Sequence, residues 1–267
     1  MHDPITAVHW NPRRPLVPGR FGRLVPLRKR VNNFGDLIGP LLVEKLRPAT
    51  RAPRRHRLLT VGSVLHLARN GDTVWGTGRN GKIEHADHRF RTLDVRAVRG
   101  PKTRSFLESR GIYTPEIFGD PALLLPLIYP EYTDTAGRRR TTVVMNLNDA
   151  PELEALDANT LGRDVQFLSP HTSLEECLQT ISRSEYVVGS SLHAIIVADA
   201  FGVPARLVRS THEPLFKYED YFNGTDRELE FSNSYQEAIA EGPHPSLNYD
   251  TTRLLDAFPH DLWEPHS

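Results

Sequence analysis

The sequence predicts an α/β protein of two halves, each a parallel sheet with helices, facing across a cleft. Short apolar runs recur along the chain, several ending at a glycine or a serine pair, and apolar residues at helical spacing follow many of them. Strands alternating with helices make parallel sheets, whose ligands sit beyond the carboxyl ends of the strands. The 267 residues suffice for one large domain or two small ones. A polar stretch at Gly137–Arg140 is the best candidate linker, so the halves are expected at 1–137 and 138–267.

Residues 1–30 are rich in Pro, Arg and Gly without periodicity and read as an extended arm. Asn33-Phe34-Gly35-Asp36 reads as a turn ending in a helix cap, with Leu37, Ile38, Leu41, Leu42 and Leu46 at helical spacing behind it. Pro40 falls near the end of the first turn, where a helix tolerates it poorly. Leu58–Val61, Thr73–Trp75 and Leu93–Val98 read as strands, the last running into a helix through Leu107. In the second half Thr142–Met145, Val165–Leu168, Tyr186–Val188 and Ala205–Val208 read the same way. Ser173 caps a helix carrying Leu174, Cys177, Leu178 and Ile181 on one face, and Ser190-Ser191 caps an Ala-rich one.

A single cysteine excludes an internal disulfide, and no 18-residue apolar stretch exists. Prolines and arginines stand where a signal peptide needs its apolar core, so a cytoplasmic location is expected. The net charge of zero conceals an asymmetry. Residues 1–60 carry 13 basic against 3 acidic side chains, and residues 211–267 carry 3 against 12. The basic segment suits either an anionic membrane surface or the acidic tail. Only five of the 33 basic residues are lysine, so an arginine here is weaker testimony for a site than usual.

Gly76-Thr77-Gly78-Arg79-Asn80-Gly81 satisfies GxGxxG after a strand, but a dinucleotide site also needs a helix opening at the glycines, and the following residues are charged and aperiodic. Glu84-His85 with Asp87-His88 is the densest metal-ligand pattern and is expected to be an exposed surface cluster, with no HExxH or paired cysteines in support. Cys177 reads as a core residue. Two strand-to-helix junctions carry more. At Arg99-Gly100-Pro101-Lys102-Thr103-Arg104, glycine turns the chain, proline suits the first helical position, and free N–H groups with Arg99, Lys102 and Arg104 could cradle an anion. At Gly189-Ser190-Ser191-Leu192-His193-Ala194, a serine cap puts His193 in a first helical turn, where the dipole disfavours imidazolium until an anion arrives.

Taken in order, these segments resemble the polysaccharide pyruvyl transferase family. The resemblance rests on Asn33-Phe34-Gly35-Asp36, Val61–Leu65, Val74–Gly78, Val98–Arg104, Gly119-Asp120-Pro121-Ala122, Gly189–Ala194 and Ala198–Pro204. It implies a fold like that of GT-B glycosyltransferases, with two Rossmann-like domains around the cleft. It implies transfer of pyruvate from phosphoenolpyruvate onto two hydroxyls of a sugar, in a polysaccharide or its lipid-linked precursor, with a cyclic ketal formed and phosphate released. No metal, cofactor or nucleic acid is implied. Carried over by position, Arg99 or Arg104 would hold phosphate with Lys102 beside them, and His193 would lie by the enolpyruvyl group. Asn33, Gly62, Ser63, Gly78, Ser190 and Ser191 would line the substrates. Asp36 could deprotonate a sugar hydroxyl or serve only as a helix cap. Many relatives have Arg-Leu-His where this chain has Ser191-Leu192-His193, and whether Arg206 or Arg209 replaces that cation stays open. A nucleotide-sugar glycosyltransferase and a non-catalytic sugar- or phosphate-binding protein are the alternatives.

Overall fold

The computed structural model describes residues 4–15, 28–50, 52–149 and 161–264. In chain order they form β1 (Ile5–Val8), β2 (Arg13–Pro15), β3 (Arg28–Arg30), α1 (Phe34–Leu46), β4 (His56–Leu59), β5 (Thr73–Trp75), β6 (Asp94–Ala97) and α2 (Pro101–Glu108). A 3-10 helix at Pro121–Leu127 leads to β7 (Thr141–Val144), β8 (Val165–Leu168), α3 (Leu174–Ser182), β9 (Tyr186–Gly189), α4 (Leu192–Ala200) and β10 (Ala205–Leu207). Then follow α5 (Phe216–Gly224), α6 (Tyr235–Glu241), α7 (Thr252–Asp256) and a last 3-10 turn, His260–Trp263.

The strands make two four-stranded parallel sheets, ordered β1-β4-β5-β6 and β10-β9-β7-β8. Central strands are covered on both faces, so they read as continuous apolar runs: Val143, Val144, Val187 and Val188 are all fully buried. The expected strands form with their ends moved by a residue or two.

The described part of the N-terminal arm is extended, as expected, and is ordered into strands that its sequence does not mark. Ile5–Val8 is an edge strand of the first sheet, in register from Ile5 opposite His56 to Val8 opposite Leu59. Four residues between prolines are too short to announce themselves by pattern; burial of Ile5 and Val8 is what holds them. β2 and β3 pair antiparallel, and residues 16–27 of the arm lie outside the described residues.

α1 starts two residues before Asp36, with Asn33 at the N-cap position. Asp36 therefore sits inside the first turn and is not a cap. Pro40, in the middle of this helix, removes the N–H that would close a turn on the Asp36 carbonyl. Phe34, Ile38 and Leu42 are fully buried at helical spacing and hold the helix against the core.

The acidic tail returns to the first sheet. The Trp75 indole N–H donates to the Leu254 carbonyl at 2.8 Å, and its ring meets Phe258 edge-on at 5.0 Å. Arg96 of β6 forms a two-pronged pair with Asp261, at 2.9 and 2.8 Å. Arg138, in the candidate linker, donates to the carbonyls of Ser182, Phe201 and Gly202 and so fastens that segment to the second sheet's helices. Among the described residues no helix is long and apolar enough to cross a membrane.

Candidate functional site

A cavity of about 330 Å³ opens where the carboxyl ends of both sets of strands face each other. The chain beyond β1 supplies Trp10, that beyond β4 Ser63, Val64 and His66, and that beyond β5 Asn80, Lys82 and Ile83. From the second sheet come Asn146 and Asn148 after β7 and Ser191 and His193 after β9, with Glu213 and Lys217 after β10. Asn33 and Asp36, at the start of α1, complete the wall.

His193 and Asp36 meet across two glycines. His193 is the second residue of α4, and its ring lies so close to Gly35 that a Cβ there would fall 2.1 Å from Nδ1. Gly62 has a φ of +95°, which only glycine adopts readily, and a Cβ built on it would lie 3.5 Å from Asp36 Oδ1 and 3.6 Å from His193 Nε2. The two functional atoms thus flank one backbone position, with no side chain between. Asp36 Oδ2 accepts a hydrogen bond from Asn33 Nδ2 at 2.6 Å.

Their protonation runs opposite to habit. Burial pushes the Asp36 carboxyl up to about 6, against the smaller downward pull of Asn33 and Lys217. Burial, with the charges of Lys217 and Arg99, holds the His193 imidazole down to about 3. The helix-start position was expected to keep this histidine neutral; the direction agrees, but desolvation and two cations are the causes.

Lys217, on α5, is a charged residue of the cavity wall that pattern reading missed. It is 8% exposed, and its ammonium pairs with Glu213 at 2.9 Å. Burial lowers its pKa, and Glu213 partly offsets this. Glu213 also receives Lys82 Nζ at 2.5 Å and Asn148 Nδ2 at 2.7 Å. A usable signal existed: where arginine supplies nearly all the positive charge, the few lysines are the informative residues, and two of the five stand here.

The Gly100-Pro101 junction is not an open anion cradle. Asp220 of α5 already fills it, accepting from the Thr103 amide at 2.9 Å and the Thr103 hydroxyl at 2.6 Å. Arg99 is wholly buried and pairs with the same carboxylate at 3.0 Å, while donating to Ser63 Oγ and the Arg79 carbonyl, each at 2.6 Å. It supports the cavity floor and does not line it. Arg104 is spent on Glu108 at 3.0 Å and Glu116 at 3.3 Å, and Lys102 on Glu219; neither reaches the cavity.

The remaining expected residues divide similarly. Ser191 lines the cavity at the N-cap of α4, though its hydroxyl makes no capping bond. Ser190 is turned inward, donating to Asp149 at 2.6 Å. Ser63 lines the cavity while accepting from Arg99. The Gly62 amide is held by the buried Asp120 carboxylate at 3.4 Å, which explains the Gly119–Ala122 motif structurally. Gly78 is needed because Arg99 Nη2 would sit 2.5 Å from a Cβ there, and no helix opens at the GxGxxG glycines, the next element being a 3-10 turn at His85–Asp87. Arg206 is engaged with Gly242 and Glu241, and Arg209 stacks over Phe231, so the cations bearing on His193 are Lys217 and Arg99.

The histidine pair at 85 and 88 is not wholly a surface cluster. His88 is buried, bonded through Nδ1 to the Glu84 carbonyl at 2.9 Å and packed on Phe106. Among the described residues no group of three or more metal-ligating side chains gathers anywhere. Cys177 is fully buried, its thiol pushed up to about 12, as suits a core residue.

Comparison with known proteins agrees with the family resemblance. A family model described as polysaccharide pyruvyl transferase matches residues 65–212, over half of the chain. The chain is 29% identical over 197 residues to the succinoglycan biosynthesis protein ExoV of Rhizobium meliloti (strain 1021), an alignment covering 71% of this chain and 60% of that protein. No solved structure matches it. The matched span includes His193, while Asn33, Asp36 and Lys217 lie on either side of it. The chain belongs to the polysaccharide pyruvyl transferase family.

Proposed function

We propose that this protein moves pyruvate from phosphoenolpyruvate onto two hydroxyls of a saccharide, forming a cyclic ketal and releasing phosphate during exopolysaccharide synthesis. The two sheets fit a pair of Rossmann-like domains of the GT-B kind, with the last helices crossing back to the first. One observation carries the reading: an Asp36 carboxyl and a His193 imidazole flank the same glycine on one wall of the cavity, where burial pushes the carboxyl up to about 6 and holds the imidazole down to about 3.

That pairing suits the chemistry. A proton delivered to C3 of the donor draws the C2–C3 π electrons and makes C2 electrophilic. One sugar hydroxyl attacks C2 and gives up its proton. The C2–O bond to phosphate then breaks with its electrons, and the second hydroxyl closes the ring and loses its proton in turn. An arriving polyanion raises the pKa of both side chains. Asp36 starts near 6 and is the group that the donor's charge brings to its acid form near neutral pH, whereas His193 starts near 3 and stays a base. Asp36, which the sequence offered as a base or a cap, thus donates to C3, and His193 accepts from the attacking hydroxyl.

The test is turnover. Purified protein, phosphoenolpyruvate and terminal galactose, glucose or mannose acceptors should release phosphate and yield the ketal methyl signal by NMR. Nucleotide release from a nucleotide-sugar in place of that signal, or binding with no turnover on any acceptor, would defeat the reading.

A further inference from the structure

Glu213 is held by three donors that have no other evident reason to converge. Lys82 and Asn148 give to Oε1 at 2.5 and 2.7 Å, and Lys217 gives to Oε2 at 2.9 Å. The donors come from three separate elements, the loops after β5 and β7 and helix α5, and all line the cavity that holds His193 and Asp36. The Glu213 side chain is 6% exposed although it sits in a loop, so its carboxylate is drawn in rather than left in water. Drawing a buried lysine and a half-exposed one around one buried glutamate is a poor way to gain stability, since desolvation consumes most of the attraction. It is a good way to keep an anion site closed while empty.

We infer that Lys82, Lys217 and Asn148 form a binding site for a phosphoryl dianion, and that Glu213 occupies it as an internal surrogate which the ligand displaces. The oxygens of a phosphoryl group can take over the same three donors, with a second negative charge that a carboxylate lacks. The expelled Glu213 needs only to turn from a cavity-facing loop into solvent. The inference rests on the donor reading above only for the identity of the natural ligand; the site itself concerns phosphate chemistry.

Inorganic phosphate is the probe, titrated calorimetrically into the whole protein in phosphate-free buffer, with pyruvate as the carboxylate arm. Removing an internal competitor raises apparent affinity by the reciprocal of the open fraction. Glu213→Gln should therefore bind phosphate about tenfold more tightly than wild type. Its melting temperature should fall without phosphate, because Lys217 loses its counter-ion, and recover when phosphate is added. Glu219→Gln, which removes the same charge beside Lys102 away from the cavity, should leave phosphate affinity unchanged. Lys82→Met, at a half-exposed position that the fold tolerates, should weaken phosphate binding about tenfold. Phosphate binding unaltered in folded Glu213→Gln, or in Lys82→Met should Glu213→Gln not fold, overturns the inference. Stronger binding of pyruvate than of phosphate overturns it too, in favour of a carboxylate site. No ketal formation is measured, so phosphate binding without turnover would sink the reaction and keep the site.

Discussion

Two helix starts in this molecule are built alike and used oppositely. Each follows a parallel strand, turns at small residues and opens a short helix: Gly100-Pro101 into α2, and Ser190-Ser191 into α4. At the first, a carboxylate 117 residues further along the chain has taken the anion's place, and Arg99 is sealed beneath it. At the second, the cap hydroxyl is uncommitted and the turn faces a cavity bearing His193, Asp36 and Lys217. Local chemistry makes a helix start capable of holding an anion. Whether it receives one from the protein or from solution is decided by what folds against it.

Mutation can break this comparison. The largest effect is expected at the filled junction. Asp220→Ala strands Arg99 as an uncompensated buried charge, and losing one partner of such a pair costs about 3–5 kcal/mol. A denaturation midpoint close to wild type would mean that the junction does not depend on its internal anion. At the open junction the loss should fall on turnover instead. His193→Asn should keep its melting temperature and still bind donor while losing about 10²-fold in turnover. Comparable activity per folded molecule would remove the base from the mechanism.

Asp36→Asn should separate stability from activity. A carboxyl raised from its usual value just under 4 to about 6 binds its proton more tightly folded than unfolded. Stability therefore falls as pH rises from about 4 through 6, and the penalty is complete above 6. The asparagine variant escapes it and should be more stable by about 2 kcal/mol at pH 8, yet inactive. Asp120, raised to about 6 by the same burial, keeps part of the slope in the variant. Equal stability of the two proteins at pH 8 would contradict the raised carboxyl. The smallest effect belongs to Arg104→Ala, whose partners are half-exposed glutamates: under about 1 kcal/mol, with unchanged donor dependence. A tenfold rise in the donor constant would return the phosphate to α2.

Much of the frame was legible because parallel strands buried on both faces are plain apolar runs. Val143 to Met145, Val187-Val188 and Thr73–Trp75 could be read without knowing their neighbours. His193 and Asp36 were legible as candidates from the motifs around them. What was hidden depended on pairs distant in sequence or disguised by proximity. Asp220 filling the α2 start is a contact across 117 residues, invisible in either segment alone. Glu213 and Lys217, four apart, look like an ordinary exposed helix pair, and only the approach of Lys82 and Asn148 turns them into a buried cluster. The opposite pKa shifts of Asp36 and His193 were hidden for the same reason, since desolvation is a property of the assembled cavity.

The strap from Trp75 to the chain's last helix has a consequence in time. Trp75 is fully buried, and part of what buries it is Phe258, with Trp263 stacked behind at 5.6 Å. The first sheet's strands are all made by residue 97, but this flank of their core has no cover until residue 263 is made. At ordinary ribosomal rates the wait is on the order of ten seconds or more. During it an indole, with its N–H unpaired, faces the cell. A ribosome stalled after the second sheet would release a chain with every strand present and the first half still open, a natural client for chaperones and proteases.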